Sequence, residues 1–230
     1  MSGDFYWAYN TPSNRSIFVL ADCTGHGVPG GFMSMLGNSF LNEIVVENKI
    51  FKANEILNKL RSKIIHALEQ KGGTQQKDGM DMSLCVWNKL DNTLEFAGAN
   101  NPLWLLRTNV SSSASSDQSS GRRVENRELL EYKADKMPIG LYLEEEKPFT
   151  SVTIQLQAGD IIYLSTDGYA DQFGGPKGKK LKYKALIESL IKNSHLDMLT
   201  QKAQLEIVFN DWKSHHEQVD DVSVIGVKIL

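Results

Sequence analysis

The sequence predicts an α+β domain in which a β-sandwich is flanked by helices. Short apolar runs of strand length outnumber helical stripes, and the long helical stripes come in pairs, one pair near each end of the chain. A regular βαβ series would alternate helix and strand, and this order does not. The 230 residues allow one large domain or two small ones, with no internal repeat.

The elements follow in order. Ser16 to Ala21 reads SIFVLA, a partly β-branched run of a buried strand that stops at Asp22. Thr24 to Gly31 is rich in glycine and proline and reads as a loop. A helix is expected over Phe32 to Glu47, with Phe32, Leu36, Phe40 and Ile44 on one face. A second is expected over Ala53 to Gln70, with a Leu57, Leu60, Ile64, Leu68 stripe, closed by Gly72-Gly73.

Met82 to Trp87 and Thr93 to Ala97 form a hairpin pattern around Asp91-Asn92, and Leu103 to Arg107 is the next strand. Ser111 to Arg127 is serine-rich and poor in apolar residues, which predicts a mobile surface loop. Val152, Ile154 and Leu156 alternate with polar residues as a half-buried strand does. Ile161 to Ser165 is another buried strand, ending before Asp167. Helices over Tyr183 to Lys192 and Leu196 to Trp212, then a strand over Val222 to Ile229, complete the reading.

Composition narrows the class. Hydrophobic residues make up 41% and charged residues 23%, with a formal net charge of −3. That balance gives no pull toward nucleic acid or an anionic membrane. No apolar run is long enough to span a bilayer, and no secretory leader pattern opens the chain. Two cysteines, Cys23 and Cys85, with no CxxC or His/Cys cluster, fit a reducing cytoplasm without a disulfide framework or zinc site. Because Met1-Ser2-Gly3-Asp4 begins abruptly beside a motif used below, a fragment lacking its natural N-terminal part is expected.

The informative pattern is the position of the acids. Asp22 and Asp167 end apolar strands, Asp220 and Asp221 precede one, and Asp4 lies upstream of the first. Carboxylates gathered at strand ends repel one another unless a cation neutralises them. Their hard oxygens suit Mg²⁺ or Mn²⁺. Taken singly, each aspartate is equally well explained as a turn former or helix cap.

The local contexts carry more. Gly3-Asp4-Phe5-Tyr6-Trp7, Ala21-Asp22-Cys23-Thr24-Gly25-His26-Gly27-Val28-Pro29-Gly30, Ser165-Thr166-Asp167-Gly168 and Asp220-Asp221-Val222-Ser223-Val224 occur in that order. Phe96 to Pro102, Met137-Pro138-Ile139-Gly140 and Gly159-Asp160 accompany them. The set resembles the motifs of SpoIIE-type phosphatases, the bacterial branch of the PPM or type 2C metal-dependent protein phosphatases, across nearly the whole chain.

The resemblance implies a four-layer αββα sandwich whose usual first strand is missing here. It implies two divalent cations, Mn²⁺ or Mg²⁺, with a third as a further option. Asp22 would bridge two ions and the Cys23 carbonyl would help hold one. Asp167 and Asp220 would complete the other, with Asp221 as the alternative to Asp220. Asp4 would contribute through water. The implied activity is hydrolysis of phosphoserine or phosphothreonine on a regulatory protein, such as an anti-sigma-factor antagonist. The implied setting places sensory or dimerising modules N-terminal to the domain. The competing reading is a catalytically silent binding module that keeps the fold; a small phosphoester as substrate is a third.

Other residues have two readings each. His26 is a general acid for the leaving oxygen or a loop-structuring residue. Eukaryotic relatives place the histidine two residues after the bridging acid; here it is four. Asp78 and Asp81 are turn acids or part of a weaker metal site or substrate rim. Lys177, Lys179, Lys180, Lys182 and Lys184 form a basic run that is a solvated loop or an attractor for an acidic phosphoprotein.

Overall fold

The computed structural model describes residues 2–25, 27–69, 78–108, 119–124 (backbone only), 127–142 and 147–230. The chain divides into two compact units, Met1–Leu103 with Lys133–Gln157, and Trp104–Tyr132 with Ala158–Leu230. Each carries one large sheet and its own helices, and the second also holds a two-stranded hairpin.

The first unit holds β1 (Phe5–Asn10), β2 (Arg15–Cys23), α1 (Val28–Leu41), α2 (Ala53–Ala67), β3 (Gly79–Asn88), β4 (Thr93–Ala99), β8 (Ile139–Gly140) and β9 (Val152–Gln155). Its sheet order is β1-β2-β3-β4-β9, with β8 paired to β3. Ile17, Val19, Ala21, Met82 and Leu84 pack with Leu41, Ile44, Ile56, Leu57, Leu60 and Ile64 of the helical layer. Leu20 and Phe96, outside that cluster, are buried as well. Burial on both faces explains why β2 reads as a continuous apolar run rather than an alternation. The β3–β4 turn forms as expected: Asn92 takes φ 53°, and the Asp91 carboxylate accepts from the Thr93 backbone N–H (3.0 Å) and hydroxyl (2.7 Å).

The first helix departs from expectation. It begins at Val28, four residues before Phe32, with Pro29 in its first turn, where a missing N–H costs nothing, and continues as a π-helix over Asn42–Glu47. Phe32 is 63% exposed and not on the buried face. The buried stripe is Gly30, Met33, Gly37 and Leu41. Glycine supplies that face because the helix lies close to its neighbours: a Cβ on Gly37 would sit 2.8 Å from the Phe5 ring. A reading that weights large apolar residues misses such a stripe.

The second unit holds β5 (Leu103–Thr108), β6 (Ser119–Val124), β7 (Arg127–Tyr132), β10 (Ile161–Ser165), α3 (Gly168–Asp171), β11 (Phe173–Gly174), β12 (Lys179–Lys180), α4 (Lys182–Asn193), α5 (Met198–Lys213) and β13 (Val224–Lys228). Its sheet order is β13-β10-β5-β7-β6, and β11 and β12 make a separate small hairpin. Trp104, Leu106, Ile161, Tyr163 and Tyr169 pack with Leu186, Leu190 and Phe209 of α4 and α5. Asp197 caps α5, accepting from the Thr200 N–H at 3.0 Å.

The expected loop over Ser111 to Arg127 is corrected in part. Residues 119–124 form β6, an edge strand paired antiparallel with β7. Backbone hydrogen bonds alone can hold a polar edge strand, so it carries no apolar signal. The remainder, 111–118 and 125–126, lies outside the described residues, as does the expected Gly72-Gly73 helix stop. Among the described residues no helix is long and apolar enough to cross a membrane.

Candidate functional site

In the first unit the acids collect at one end of the sheet. Asp22 is the penultimate residue of β2, and its Cα partner across β3 is Asp81. On the other side Phe5 is the partner of Ala21, so Asp4 enters β1 beside Asp22. Burial pushes the Cys23 thiol up to about 12; the carboxylates of Asp22 and Asp4 add to the rise and the Ser34 hydroxyl opposes it. Asp4, Asp22, Asp78 and Asp81 are each half-buried, rigidly based yet open to solvent. Cys23 is 4% exposed and packs its sulfur into the core, which leaves its backbone carbonyl as the donor a cation could use.

Several tethers hold this end. The Thr24 N–H donates to the Gly79 carbonyl at 3.0 Å and the Thr24 hydroxyl accepts from the Gly79 N–H at 3.0 Å. That hydroxyl also lies 3.4 Å from Asp78 Oδ1. Asn100, at φ 59°, donates to Asp81 Oδ1 at 2.8 Å. Ser34 of α1 donates to the Gly3 carbonyl at 2.8 Å, fixing the residue before Asp4. Ser34 carries no signal in the sequence, and Asn100 is visible there only as a member of the Phe96 to Pro102 motif, its bond to Asp81 being apparent only in the fold. Gly25 takes φ 85°, and a Cβ on Gly30 would fall 2.2 Å from the Gly25 carbonyl oxygen. His26 lies outside the described residues.

In the second unit Asp167 lies two residues past the end of β10 and is the N-cap residue of α3, its carbonyl accepting from the Asp171 N–H at 2.9 Å. The Thr166 N–H donates to the Ser223 carbonyl at 3.1 Å and the Thr166 hydroxyl accepts from the Ser223 N–H at 3.1 Å. This double tie draws the Asp220–Ser223 segment against Asp167. Gly168 is required there, since a Cβ would lie 2.0 Å from the Asp221 carbonyl oxygen. Asp220 is exposed and its Oδ1 accepts from the Asp221 N–H at 2.8 Å, whereas Asp221 is half-buried.

The donors are oxygens throughout, which fits a hard dication such as Mg²⁺ or Mn²⁺ better than zinc. Among the described residues no group of three or more His, Cys, Asp or Glu is arranged to hold a metal by itself. What the strands and ties do bring together are pairs: Asp22 opposite Asp81 in one unit, and Asp167 beside the Asp220–Asp221 segment in the other. A groove of about 450 Å³ between α5 and β13, lined by Tyr163, Met198, Leu205, Phe209 and Val224, contains none of these acids.

The family model of stage II sporulation protein E (SpoIIE) matches residues 12–230. The chain belongs to the SpoIIE family. No curated protein sequence matches it significantly. Among solved structures, this SpoIIE-family chain is similar to the SiaA-PP2C domain of Pseudomonas aeruginosa: TM-score 0.80, 23% identity, 99% of this chain and 81% of that one. It is similar to the PP2C phosphatase domain with a regulatory-domain fragment of SpoIIE from Bacillus subtilis, at TM-score 0.69 and 18% identity, covering 100% of this chain and 57% of that one. It is also similar to RsbX in complex with magnesium, at TM-score 0.54 and 12% identity, covering 98% and 86%. The fold is therefore that of the PP2C phosphatase domains, as the motif resemblance implied.

Proposed function

We propose that this SpoIIE-family chain is a serine/threonine phosphoprotein phosphatase that works with Mn²⁺ or Mg²⁺. The observation that carries the reading is the set of acids at strand ends: Asp22 flanked by Asp4 and Asp81, and Asp167 tied to the Asp220–Asp221 segment through Thr166 and Ser223. Asp4, Asp22, the Cys23 carbonyl, Asp167 and Asp220, with Asp221 as its alternate, are the ligands proposed for two cations. Asp78 and Asp81 are the proposed rim or third-ion residues. The magnesium in the RsbX structure supports the choice of hard ion.

Divalent cations, when bound, supply Lewis acidity toward a phosphoryl oxygen and lower the pKa of water. The chain's own part is to orient and to exclude repulsion. Aspartates based on strands keep their oxygens fixed, and Thr24, Ser34 and Asn100 hold the segments that bear them. His26, one residue after a left-handed glycine, is the proposed proton donor to the departing serine oxygen. The proposed substrate is a phosphorylated regulatory protein, and N-terminal sensory or dimerising modules are proposed to accompany the domain, a reading supported by the regulatory-domain fragment beside the phosphatase domain in the SpoIIE structure.

Hydrolysis of p-nitrophenyl phosphate and of a phosphoserine peptide, each with and without Mn²⁺, tests the reading. Metal-dependent release of phosphate from the peptide is expected. Folded protein that releases none on either substrate would be a silent binding module instead.

A further inference from the structure

The basic run Lys177 to Lys184 belongs in part to a built element, the β11–β12 hairpin. Between Gln172 and Ile187 the chain carries five lysines and no acid, against a net charge of −3 for the whole. Lys179 and Lys180 lie in β12, paired with Phe173-Gly174 of β11, and Lys177 is at the turn between them. A solvated loop would need no anchoring, yet this hairpin is clamped at its base.

The clamp is made by two side chains. Gln172 is fully buried, and its side-chain amide donates to the Glu217 carbonyl at 2.8 Å. Its backbone carbonyl accepts from Trp212 Nε1 at 3.1 Å and from the Leu181 N–H at 3.0 Å, joining both ends of the hairpin to α5. Trp212 lies so close that a Cβ on Gly174 would fall 1.9 Å from its carbonyl oxygen. Gly175, at φ 66°, donates its N–H to the same oxygen at 2.8 Å. Lys180 closes the side with a 2.6 Å ion pair to Asp171, one helical turn from Asp167.

The neutralising contacts are then used up. Lys180 is paired to Asp171 and Lys184 stands 3.8 Å from Glu188. Lys177, Lys179 and Lys182 are exposed, and none has a carboxylate partner among the described residues. Phe173, 41% exposed, lies beside them with Lys180 Nζ 5.9 Å from its ring centre. Two of these cations stand on the clamped hairpin and the third at the start of α4, so binding an anion chain orders side chains but little backbone.

We infer that the β11–β12 hairpin and the start of α4 form a docking element for an acidic segment of the phosphoprotein substrate, read by Lys177 and Lys179 of the hairpin and Lys182 at the first position of α4. This rests on the phosphatase reading for what the partner is, but the surface can be tested apart from catalysis. The chain's overall negative charge favours a local acidic peptide over nucleic acid, whose polyanionic length would meet repulsion elsewhere.

The probe is a fluorescein-labelled, unphosphorylated peptide rich in glutamate, with a glutamine-for-glutamate version as its neutral counterpart. Anisotropy at low ionic strength measures binding to the full chain. The acidic peptide is expected to bind and the neutral one not. Lys177→Glu, Lys179→Glu and Lys182→Glu together should weaken binding at least about tenfold. The same charge change placed at Lys49, Lys52 and Lys59 should leave it within about threefold. Equal losses in the two triple variants, or no preference for the acidic peptide, overturn the proposal. So does tighter binding of a single-stranded oligonucleotide through the same three lysines. Turnover of p-nitrophenyl phosphate, measured alongside, reports on the phosphatase reading alone.

Discussion

Asp22 and Asp81 are Cα partners across the antiparallel pair β2–β3, so two acids stand directly opposite one another at the end of a buried sheet. Like charges in that position destabilise a sheet. Asn100, the residue just past the neighbouring strand β4, donates its amide to Asp81, and Asp22 has Asp4 arriving on its other side. An arrangement kept against its own repulsion is what a cation site requires of the metal-free protein.

Asp22→Asn should therefore separate stability from function. The melting temperature without metal should stay level or rise, because one clustered charge is gone. Mn²⁺-dependent hydrolysis of p-nitrophenyl phosphate should fall by at least about a hundredfold. Differential scanning fluorimetry with and without Mn²⁺ checks both, since the metal-induced shift should vanish with the activity. Near wild-type turnover would remove Asp22 from the ligand set.

Asp81→Asn relieves the same repulsion but keeps a group able to bond Asn100. A rim role for Asp81 predicts a weaker response to Mn²⁺ with kcat at saturating metal nearly preserved. Titrating Mn²⁺ against initial rate separates the two parameters. An unchanged metal response would return Asp81 to the status of a turn acid.

Much of this was legible in the sequence, for physical reasons. Buried strands such as Ile161–Ser165 announce themselves as apolar runs, and α2 as a 3.6-residue stripe. What escaped was structure that needs no large apolar side chain. The glycine face of α1, the polar edge strand β6 and the two-residue strands of the lysine hairpin are held by close approach or by backbone bonds. The acids were visible because they flank strands, yet the bonds by which Ser34, Asn100 and Thr24 support them were not. Any serine, asparagine or threonine makes such bonds, and only the fold says which do.

Gly159-Asp160, one of the motif pairs, serves stability. Asp160 is 1% exposed and takes a two-pronged hydrogen bond from Arg107, Nε to Oδ1 at 3.0 Å and Nη2 to Oδ2 at 2.6 Å. That bond, more than any other influence, holds the Arg107 guanidinium above its ordinary pKa. Asp160→Ala would leave Arg107 with a cation whose main partner is gone, at a cost of about 3 kcal/mol. Urea unfolding should show that loss with little change in kcat for the fraction that stays folded.

The cysteines give a prediction with a sign. Burial raises Cys23 to about 12 and lifts Cys85 well above its ordinary value. Both thiols stay protonated in the folded chain while the unfolded chain ionises near pH 9. The unfolded state then binds fewer protons, so stability is intact below pH 9 and declines as pH rises above it. Replacing both residues with alanine should lower stability at pH 7, through lost packing, and flatten the decline between pH 9 and 10.5. Iodoacetamide at pH 8 should label neither thiol until urea unfolds the chain, because the nucleophile is the thiolate. Rapid labelling of Cys23 in the folded protein would mean that the end of β2 opens, and with it the seat proposed for the first cation.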